Sequence, residues 1–439
     1  MREHPADLGP DPLADERRRD TDEYVAFGTA DPRPLLLLVN SMCADYREWA
    51  LRGLHRKFRL WLLDAQEATW DRPYLVGQTT VDALNLDEAI AAAKELSSRQ
   101  PIAGVLCYDE MRIWAAARIA AALGLPTSTP DAVLACRDKR LTRQRMAGAG
   151  AGAVRSIAVA DAAGARRAAE RIGYPVVLKP RALAGSEGVT RIDRPDLLDA
   201  EFAFADGAHV TDAPRFAEGV LVEEYLDGPE ITVDSVVRRG EVRPAFISHK
   251  EQRLAPTFEE TGHVVTADDP LLEDERLREV VQSAHTALGF SHGVTHTEVR
   301  LTDKGPRIIE VNGRLGGDMI TYVGLLATGI DLAAAAGRLA AGGVPDLTPR
   351  RRCTAAVRFY YPPHDMVLEE LRLDSAGLPA GIWECTILAG PGQRLLLPPR
   401  SFVDGRLAAG FAVGADDAAC QHALDELGTL LRVRGRPID

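Results

Sequence analysis

Strand-like apolar runs alternate with helical patterns over residues 34–130, and this alternation limits the possible fold more than any other feature. Pro34–Val39 reads PLLLLV, a continuous apolar run that is typical of a strand buried on both faces. The later segments alternate in the same way: helix Tyr46–Arg56, strand Phe58–Leu63, helix Leu86–Ser98, strand Ile102–Tyr108 and helix Met111–Leu123. This order predicts an α/β domain, with an open parallel sheet and helices on both faces.

A more mixed pattern follows the Pro-bounded stretch 124–130, which we interpret as a domain boundary. Helices are predicted at Asp131–Met146, Ala162–Ile172, Leu271–Leu288, Ile320–Ala341 and Asp416–Leu431. Strands are predicted at Ile157–Val159, Val176–Lys179, Val220–Tyr225, Ile231–Val237, Val242–Ser248, Val294–Leu301, Arg307–Asn312, Ala355–Tyr361 and Gly381–Leu388. The predicted organisation is a mobile leader (1–33), the α/β domain (34–130), two α+β subdomains (131–220 and 221–345) and a C-terminal α+β segment (346–439).

Composition excludes several classes of protein. Lys and Arg number 52 against 64 Asp and Glu, so the net charge of −12 argues against nucleic acid as a partner. No apolar run reaches the roughly 18 residues of a membrane span, and the first twenty residues lack the apolar core of a signal peptide. The six cysteines form no C-x-x-C, which favours reduced, mostly buried thiols in a cytoplasmic protein. The ten histidines form no convincing metal cluster, and the P-loop and dinucleotide fingerprints are missing.

The densest chemical signal is THTEVRLTDKGPRIIEVNGRLGGDM, residues 295–319. Alternation along a strand puts His296, Glu298 and Arg300 on one face, and Ile308, Glu310 and Asn312 on one face of the next strand. A turn near Lys304 would make Glu298 and Glu310 cross-strand neighbours. Two carboxylates and an amide oxygen suit Mg²⁺, although a solvated acidic hairpin is the plain alternative.

Several cationic and glycine-rich segments accompany this hairpin. Arg314 could hold a carboxylate or a phosphoryl group, and Gly316 and Gly317 let backbone N–H groups approach an anion. Lys179 ends a buried strand and precedes the small-residue loop 182–188, which could fold over phosphates. Lys139 is a second candidate cation, although on its own it would be better explained as an exposed lysine on a helix. In residues 220–230, an apolar strand leads into an acidic bend. The backbone there could bind an adenine edge, and Glu230 could bind ribose hydroxyls.

Taken in order, these segments resemble the ATP-grasp superfamily of carboxylate–amine ligases, over about residues 130–340. The motifs are Lys139, Lys179 with its loop, Glu223–Glu230, Glu298, and Glu310-Val-Asn312-Gly-Arg314. The run Gly-Arg-Leu-Gly-Gly-Asp most resembles the L-amino-acid ligase, or dipeptide-forming, branch, which often serves natural-product pathways. The resemblance implies that residues 34–130 form the N-terminal domain of the family and residues 131–220 its first, lid-like subdomain.

The resemblance also implies a role for each matching position. Lys139, Lys179 and the loop residues Gly185, Ser186 and Gly188 would contact ATP phosphates. Glu223 and Leu226 would bind adenine, Glu230 ribose, and Glu298, Glu310 and Asn312 one or two Mg²⁺ (or Mn²⁺) ions. Arg314, as the catalytic residue, would hold the carboxylate and the developing acyl phosphate. His263, Gly316 and Gly317 would lie on the substrate side.

The implied reaction joins a small carboxylate and a small amine, with release of ADP and phosphate. The alternatives are a purine-biosynthesis or biotin-carboxylase-like enzyme, and a non-catalytic ATP-binding module. Retention of the three expected metal ligands and of Arg314 speaks against the module. The sequence identifies neither substrate and leaves the oligomeric state open, with a homodimer as one option. No nucleic-acid or membrane partner is expected.

Overall fold

The computed structural model describes residues 31–149, 151–152, 154–210, 212–214, 216–254 and 257–438. All but the last three residues of the predicted leader therefore lie outside the described residues. Within them the chain forms a parallel sheet, two larger antiparallel sheets and one small antiparallel sheet. This mixed α/β architecture confirms the predicted fold class.

The N-terminal sheet is built from β1 (Leu35–Val39), β2 (Arg59–Asp64), β3 (Leu75–Thr80) and β4 (Ile102–Leu106), with α1 (Ala44–Lys57), α2 (Leu86–Arg99) and α3 (Ile113–Ala122) between or after them. Its strands are parallel and lie in the order β3-β2-β1-β4. Leu36 and Leu38 of β1 pack against α1, whereas Leu35, Leu37 and Val39 pack against α2 and α3. Both faces are thus covered, as the apolar run predicts. The edge strand β3 was not predicted, because its sequence LVGQTT is partly polar and partly exposed.

The second unit begins with α4 (Pro130–Arg137) and α5 (Lys139–Ala147). The prediction of one helix over Asp131–Met146 is wrong, because Asp138 leaves the helical conformation and caps α5 with its side chain. There follow β5 (Ser156–Val159), α6 (Ala162–Ile172), β6 (Val176–Pro180), β7 (Thr190–Ile192), α7 (Leu198–Gly207) and β8 (Val220–Glu224). Their strands form an antiparallel sheet in the order β5-β8-β6-β7, which we call the lid sheet.

The next elements are β9 (Glu230–Arg238), β10 (Glu241–Glu251), β11 (Gly262–Thr266), α8 (Glu275–Leu288), β12 (His292–Thr302), β13 (Gly305–Asn312), α9 (Ile320–Thr328) and α10 (Leu332–Ala340). The helix predicted from Leu271 begins later, because Pro270–Glu273 forms a 3-10 turn and Asp274 caps α8. No single described helix is long and apolar enough to cross a membrane; α9 and α10, bent by 104°, meet the length and composition test only as a pair.

The C-terminal segment contributes β14 (Thr354–Tyr360), β15 (Met366–Leu373), β16 (Ile382–Ile387), β17 (Arg394–Leu395), β18 (Ala408–Gly414), α11 (Asp417–Leu430) and β19 (Leu431–Pro437). Three of its strands extend an eight-stranded central sheet, in the order β13-β12-β9-β10-β11-β14-β18-β16. The others form a small sheet, β17-β15-β19. The C-terminal segment is therefore joined to the central sheet by strand pairing, which its sequence did not indicate.

The cysteines are free, but the expectation that most are buried is wrong. Cys136 and Cys420 are buried, Cys43 is exposed, and the other three are half-buried.

Candidate active site

A cleft of about 880 Å³, open to solvent, lies between the lid sheet and the central sheet. Its walls carry most of the predicted nucleotide-site and metal residues: Lys139, Lys179, Gly185, Ser186, Glu223, Leu226, Glu230, Glu298 and Glu310. Gly188 faces elsewhere, since a Cβ atom there would lie 2.5 Å from the Ala208 Cβ. Asn312 is buried opposite His296 and does not line the cleft.

Two lysines lie at one end of the cleft, and both are buried. Lys139 Nζ is 3.0 Å from a Glu310 oxygen and donates to the Leu183 carbonyl oxygen at 2.6 Å. Lys179 Nζ lies 2.6 Å from Glu223 Oε2. Burial lowers the pKa of Lys179, although Glu223 opposes the effect. Each lysine is thus positioned by a carboxylate and directed into the cleft, and Lys139 is not an exposed helical lysine.

The small-residue loop predicted to cover phosphates lies beside these lysines. Gly185 and Ser186 both have positive φ angles, 68° and 59°. The Ser186 hydroxyl donates to the Phe258 carbonyl oxygen at 3.3 Å, so the loop reaches the connection between β10 and β11. The loop therefore bridges the lid sheet and the central sheet at the mouth of the cleft.

Glu223 makes side-chain contacts that sequence reasoning did not foresee. Its carboxylate accepts hydrogen bonds from Arg143 at 2.7 and 2.9 Å in addition to its Lys179 contact. Burial opposes ionisation, but the two cations outweigh it and hold the pKa of Glu223 well below its usual range. Glu223 is therefore a buried anion that orients Lys179, whatever its backbone contacts.

The paired carboxylates of the central hairpin occur as predicted. Glu298 on β12 lies directly opposite Glu310 on β13, and both line the cleft. The predicted face of β13 is wrong at Ile308, because an irregularity in the pairing follows Glu298 and turns Ile308 into the core. Ile309 lines the cleft instead.

Lys250 on β10 is a central residue of the cleft that sequence reasoning missed. Its side chain is 1% exposed, and Nζ lies 2.7 Å from Glu230, 2.7 Å from Glu260 and 3.2 Å from Glu298. Burial alone would favour the neutral amine, but the three carboxylates raise the pKa of Lys250 well above its usual value. A second cation, Arg300, lies 2.8 Å from Glu230. The acids of this wall are therefore neutralised by fixed cations.

Arg314 lies at the other end of the site and is not a surface residue. Its Nε donates to Glu110 Oε2 at 2.5 Å, and Glu110 follows β4 of the N-terminal sheet. The neighbouring Gly316 permits a close approach, since a Cβ there would lie 2.9 Å from the His296 ring. Its carbonyl oxygen accepts a hydrogen bond from Arg47 of α1 at 3.2 Å. We call the region formed by Arg47, Glu110, Arg314 and Gly316 the domain junction.

His263 is fully buried near the same region. Its Nε2 atom lies 3.2 Å from Glu260 and 3.9 Å from Asp318. Burial favours the neutral ring, but these carboxylates raise the pKa of His263. The three side chains could offer ligand atoms to a metal, a grouping that sequence reasoning did not anticipate. Glu260 and Asp318 are, however, already paired with Lys250 and Arg406.

Comparison with known proteins finds a domain match and several relatives. Residues 172–322 match the ATP-grasp domain. Uncharacterized protein y4rH of Sinorhizobium fredii is 29% identical over 378 residues, which cover 83% of this chain and 76% of that protein. The alanine–anticapsin ligase of Bacillus subtilis is 27% identical over 251 residues, 53% of this chain and 52% of the ligase. Residues 172–322 of this chain therefore form an ATP-grasp domain.

The crystal structure of an L-amino acid ligase from Bacillus licheniformis shares the ATP-grasp fold with this chain. It has a TM-score of 0.77 at 20% identity, covering 93% of this chain and 100% of that one. The alignment with the alanine–anticapsin ligase spans only about half the length of each protein. ATP-grasp ligases of this kind are ATP-dependent and ADP-forming.

The candidate site contains residues that no local motif marks. Glu110 had one available signal, its place directly after a buried parallel strand. Lys250 stands in HKE at the end of a strand, where a charged run is usually solvated. Arg406 lies in the C-terminal segment, about 90 residues beyond the last motif, so that only the folded chain shows its contact with Asp318.

Proposed function

We propose that this protein activates the carboxylate of one amino acid, or amino-acid-like acid, with ATP and joins it to the amine of another. The product is an amide or dipeptide, formed through an acyl phosphate with release of ADP and phosphate, in a biosynthetic pathway. The observation that carries the proposal is the single cleft in which two buried lysines face a cross-strand pair of carboxylates. The similarity of this chain to an alanine–anticapsin ligase and to an L-amino acid ligase supports the proposal.

The residues of the cleft fit a nucleotide bound with its phosphates toward the lysines. Lys139 and Lys179 would contact phosphate oxygens, and the Gly185–Ser186 loop would cover them. Their present partners, Glu310 and Glu223, hold the two ammonium groups in place before ATP arrives. Glu230 would face the ribose, and the backbone at Glu223–Leu226 the adenine.

Glu298 and Glu310 fit a divalent cation. They are cross-strand neighbours with hard oxygen donors, which Mg²⁺ and Mn²⁺ prefer. When bound, such an ion neutralises charge on the transferring phosphoryl group. Asn312 is the weakest of the three proposed ligands, because it is buried away from the cleft wall.

Arg314 would hold the carboxylate that is activated. A carboxylate is a poor acyl donor, and phosphorylation replaces an oxide leaving group with phosphate. The planar guanidinium of Arg314, positioned by Glu110, can bind two oxygens at once. Closure of the loop would exclude water, which would otherwise hydrolyse the acyl phosphate.

The test is ADP release from the purified protein with ATP, Mg²⁺ and pairs drawn from a panel of free amino acids, with the products identified by mass spectrometry. The proposal expects ADP formation that depends on both members of a pair, together with a product whose mass equals their sum less one water. ADP formation that needs only bicarbonate and biotin, or a purine precursor, would favour the other enzymes considered. Nucleotide binding without ADP formation on any pair would indicate a binding module.

A further inference from the structure

Arg47 is a buried cation without a carboxylate partner among the described residues. The residue is 6% exposed, and none of its nitrogens lies within 4.0 Å of a described carboxylate. One nitrogen donates to the Gly316 carbonyl oxygen, while Nε is buried without a hydrogen-bond partner among the described residues. Burying a charge in this way is costly unless an anion meets it.

The charges around Arg47 add to that cost. Burial lowers its pKa, and the nearby positive charge of Arg314 lowers it further. Asp318 acts on Arg47 only from a distance, because both Asp318 oxygens accept hydrogen bonds from Arg406 at 2.9 Å. Glu110 likewise accepts a hydrogen bond from Arg314. The domain junction therefore has one more cation than its described acids neutralise.

The position of Arg47 in the fold is where an α/β sheet binds ligands. In the parallel sheet, β2 and β3 lie on one side of β1, and β4 lies on the other side. The carboxyl ends of β1 and β4 therefore form a topological switch point, where such sheets bind ligands. Arg47 lies in the first turn of α1, directly after β1, and its guanidinium lies 5.1 Å from the ring centre of Tyr108, directly after β4. Arg47 also contacts the glycine-rich loop, through its hydrogen bond to the Gly316 carbonyl oxygen.

We propose that Arg47 binds a spectator carboxylate, meaning a substrate carboxylate that is not phosphorylated during the reaction. This inference rests on the proposed function. An amino acid that serves as the amine keeps its own carboxylate throughout, and a dicarboxylic donor would keep its second one. Either group would supply the anion that Arg47 lacks, and the other end of the same substrate would be held toward Arg314 and the cleft.

The experiment compares wild type, Arg47→Met and Arg47→Lys, using the amino-acid pair that best supports ADP release. Arg47→Met should raise the KM of one substrate about 10- to 100-fold, the loss expected for a charge-assisted hydrogen bond, without changing the KM of ATP. Arg47→Lys should restore part of that loss, because it keeps the charge without the planar fork. Arg118→Met is the matched control, since Arg118 is an exposed arginine of the same domain.

Amide analogues identify the carboxylate. If the acceptor supplies it, its carboxamide should be a poor substrate for wild type but equal to the parent acid for Arg47→Met. If a dicarboxylic donor supplies it, the same pattern should appear with the donor's side-chain amide. Thermal unfolding of Arg47→Met distinguishes substrate binding from a purely structural role. If Arg47 binds substrate, removing its buried charge, which has no described carboxylate partner, should not lower the melting temperature.

Three results would overturn the inference. Unchanged substrate KM values in Arg47→Met would remove Arg47 from the site while leaving the proposed function intact. A lower melting temperature with unchanged KM values would make Arg47 structural. The absence of ADP from wild type with every pair would overturn the proposed function, and this inference with it.

Discussion

The cleft and the domain junction differ in how their charges are balanced. In the cleft, each of Lys139, Lys179 and Lys250 lies within 3.2 Å of at least one carboxylate. At the domain junction, Glu110 neutralises Arg314, and Arg47 has no described acid partner. The charges of the three lysines are thus balanced within the protein, whereas we propose that a substrate anion balances the charge of Arg47. Removal of Lys250 should therefore destabilise the protein, whereas removal of the Arg47 charge should leave its stability unchanged or higher.

The largest effect is expected for Lys250→Met, which leaves three half-buried carboxylates without their shared, buried cation. The free energy of unfolding should fall by about 3–5 kcal/mol, the cost of breaking a buried ion pair on one side. Urea unfolding followed by circular dichroism measures it. The exposed Lys94→Met is the control and should change stability little. Equal stability of the two variants would mean that the carboxylates around Lys250 do not need it.

Next in size is Lys179→Ala, which tests the phosphate end of the cleft. ADP formation should fall about 10²- to 10³-fold, by analogy with the loss of one donor to a transition-state oxyanion. Arg143 still neutralises Glu223 in this variant, so the fold should persist. Steady-state ADP release, with circular dichroism as a check on folding, measures both effects. Near-wild-type turnover would remove Lys179 from the nucleotide site.

Glu310→Gln sharpens the metal proposal. The Mg²⁺ concentration for half-maximal activity should rise about 10- to 100-fold, in the range by which altered metal sites lose affinity. The stability of the metal-free protein should change little, because relief of the repulsion from Glu298 offsets the lost ion pair with Lys139. A Mg²⁺ titration of activity decides the matter, and saturation at the wild-type concentration would contradict a metal role for Glu310.

The smallest effects are expected for two buried histidines, His263 and His285, whose pKa values are shifted in opposite directions. The raised pKa of His263 contributes stability that is fully present below about pH 6.5 and is lost as the pH rises through the folded-state pKa. Burial lowers the pKa of His285 to about 4, so its contribution is present above about pH 6.5 and is lost as the pH falls through 4.

Unfolding free energies measured from pH 4 to pH 8 for wild type, His263→Gln and His285→Gln separate the two contributions. His263→Gln should flatten the alkaline side of the profile, and His285→Gln the acidic side. If His263→Gln left the alkaline side unchanged, the carboxylates of Glu260 and Asp318 would not be stabilising its charge.

The same comparison explains what the sequence could and could not predict. The parallel sheet, the hairpin register that pairs Glu298 with Glu310, and the two lysines follow from local patterns within a few residues. The junction is assembled from residues far apart in the chain, such as Arg47 and Gly316, which are 269 positions apart. No periodicity records such a contact. The irregularity beside Glu298, which buries Ile308, also depends on tertiary packing that local alternation does not encode.

The central claim is that a substrate carboxylate is activated by phosphorylation within the cleft. The most direct measurement uses an amino acid labelled with ¹⁸O in its carboxylate, taken from the pair that supports ADP release. Mass spectrometry of the released phosphate should find one labelled oxygen per turnover, because the acyl phosphate leaves the carboxylate oxygen on phosphorus. Phosphate without label, or release of AMP and pyrophosphate in place of ADP, would contradict the account.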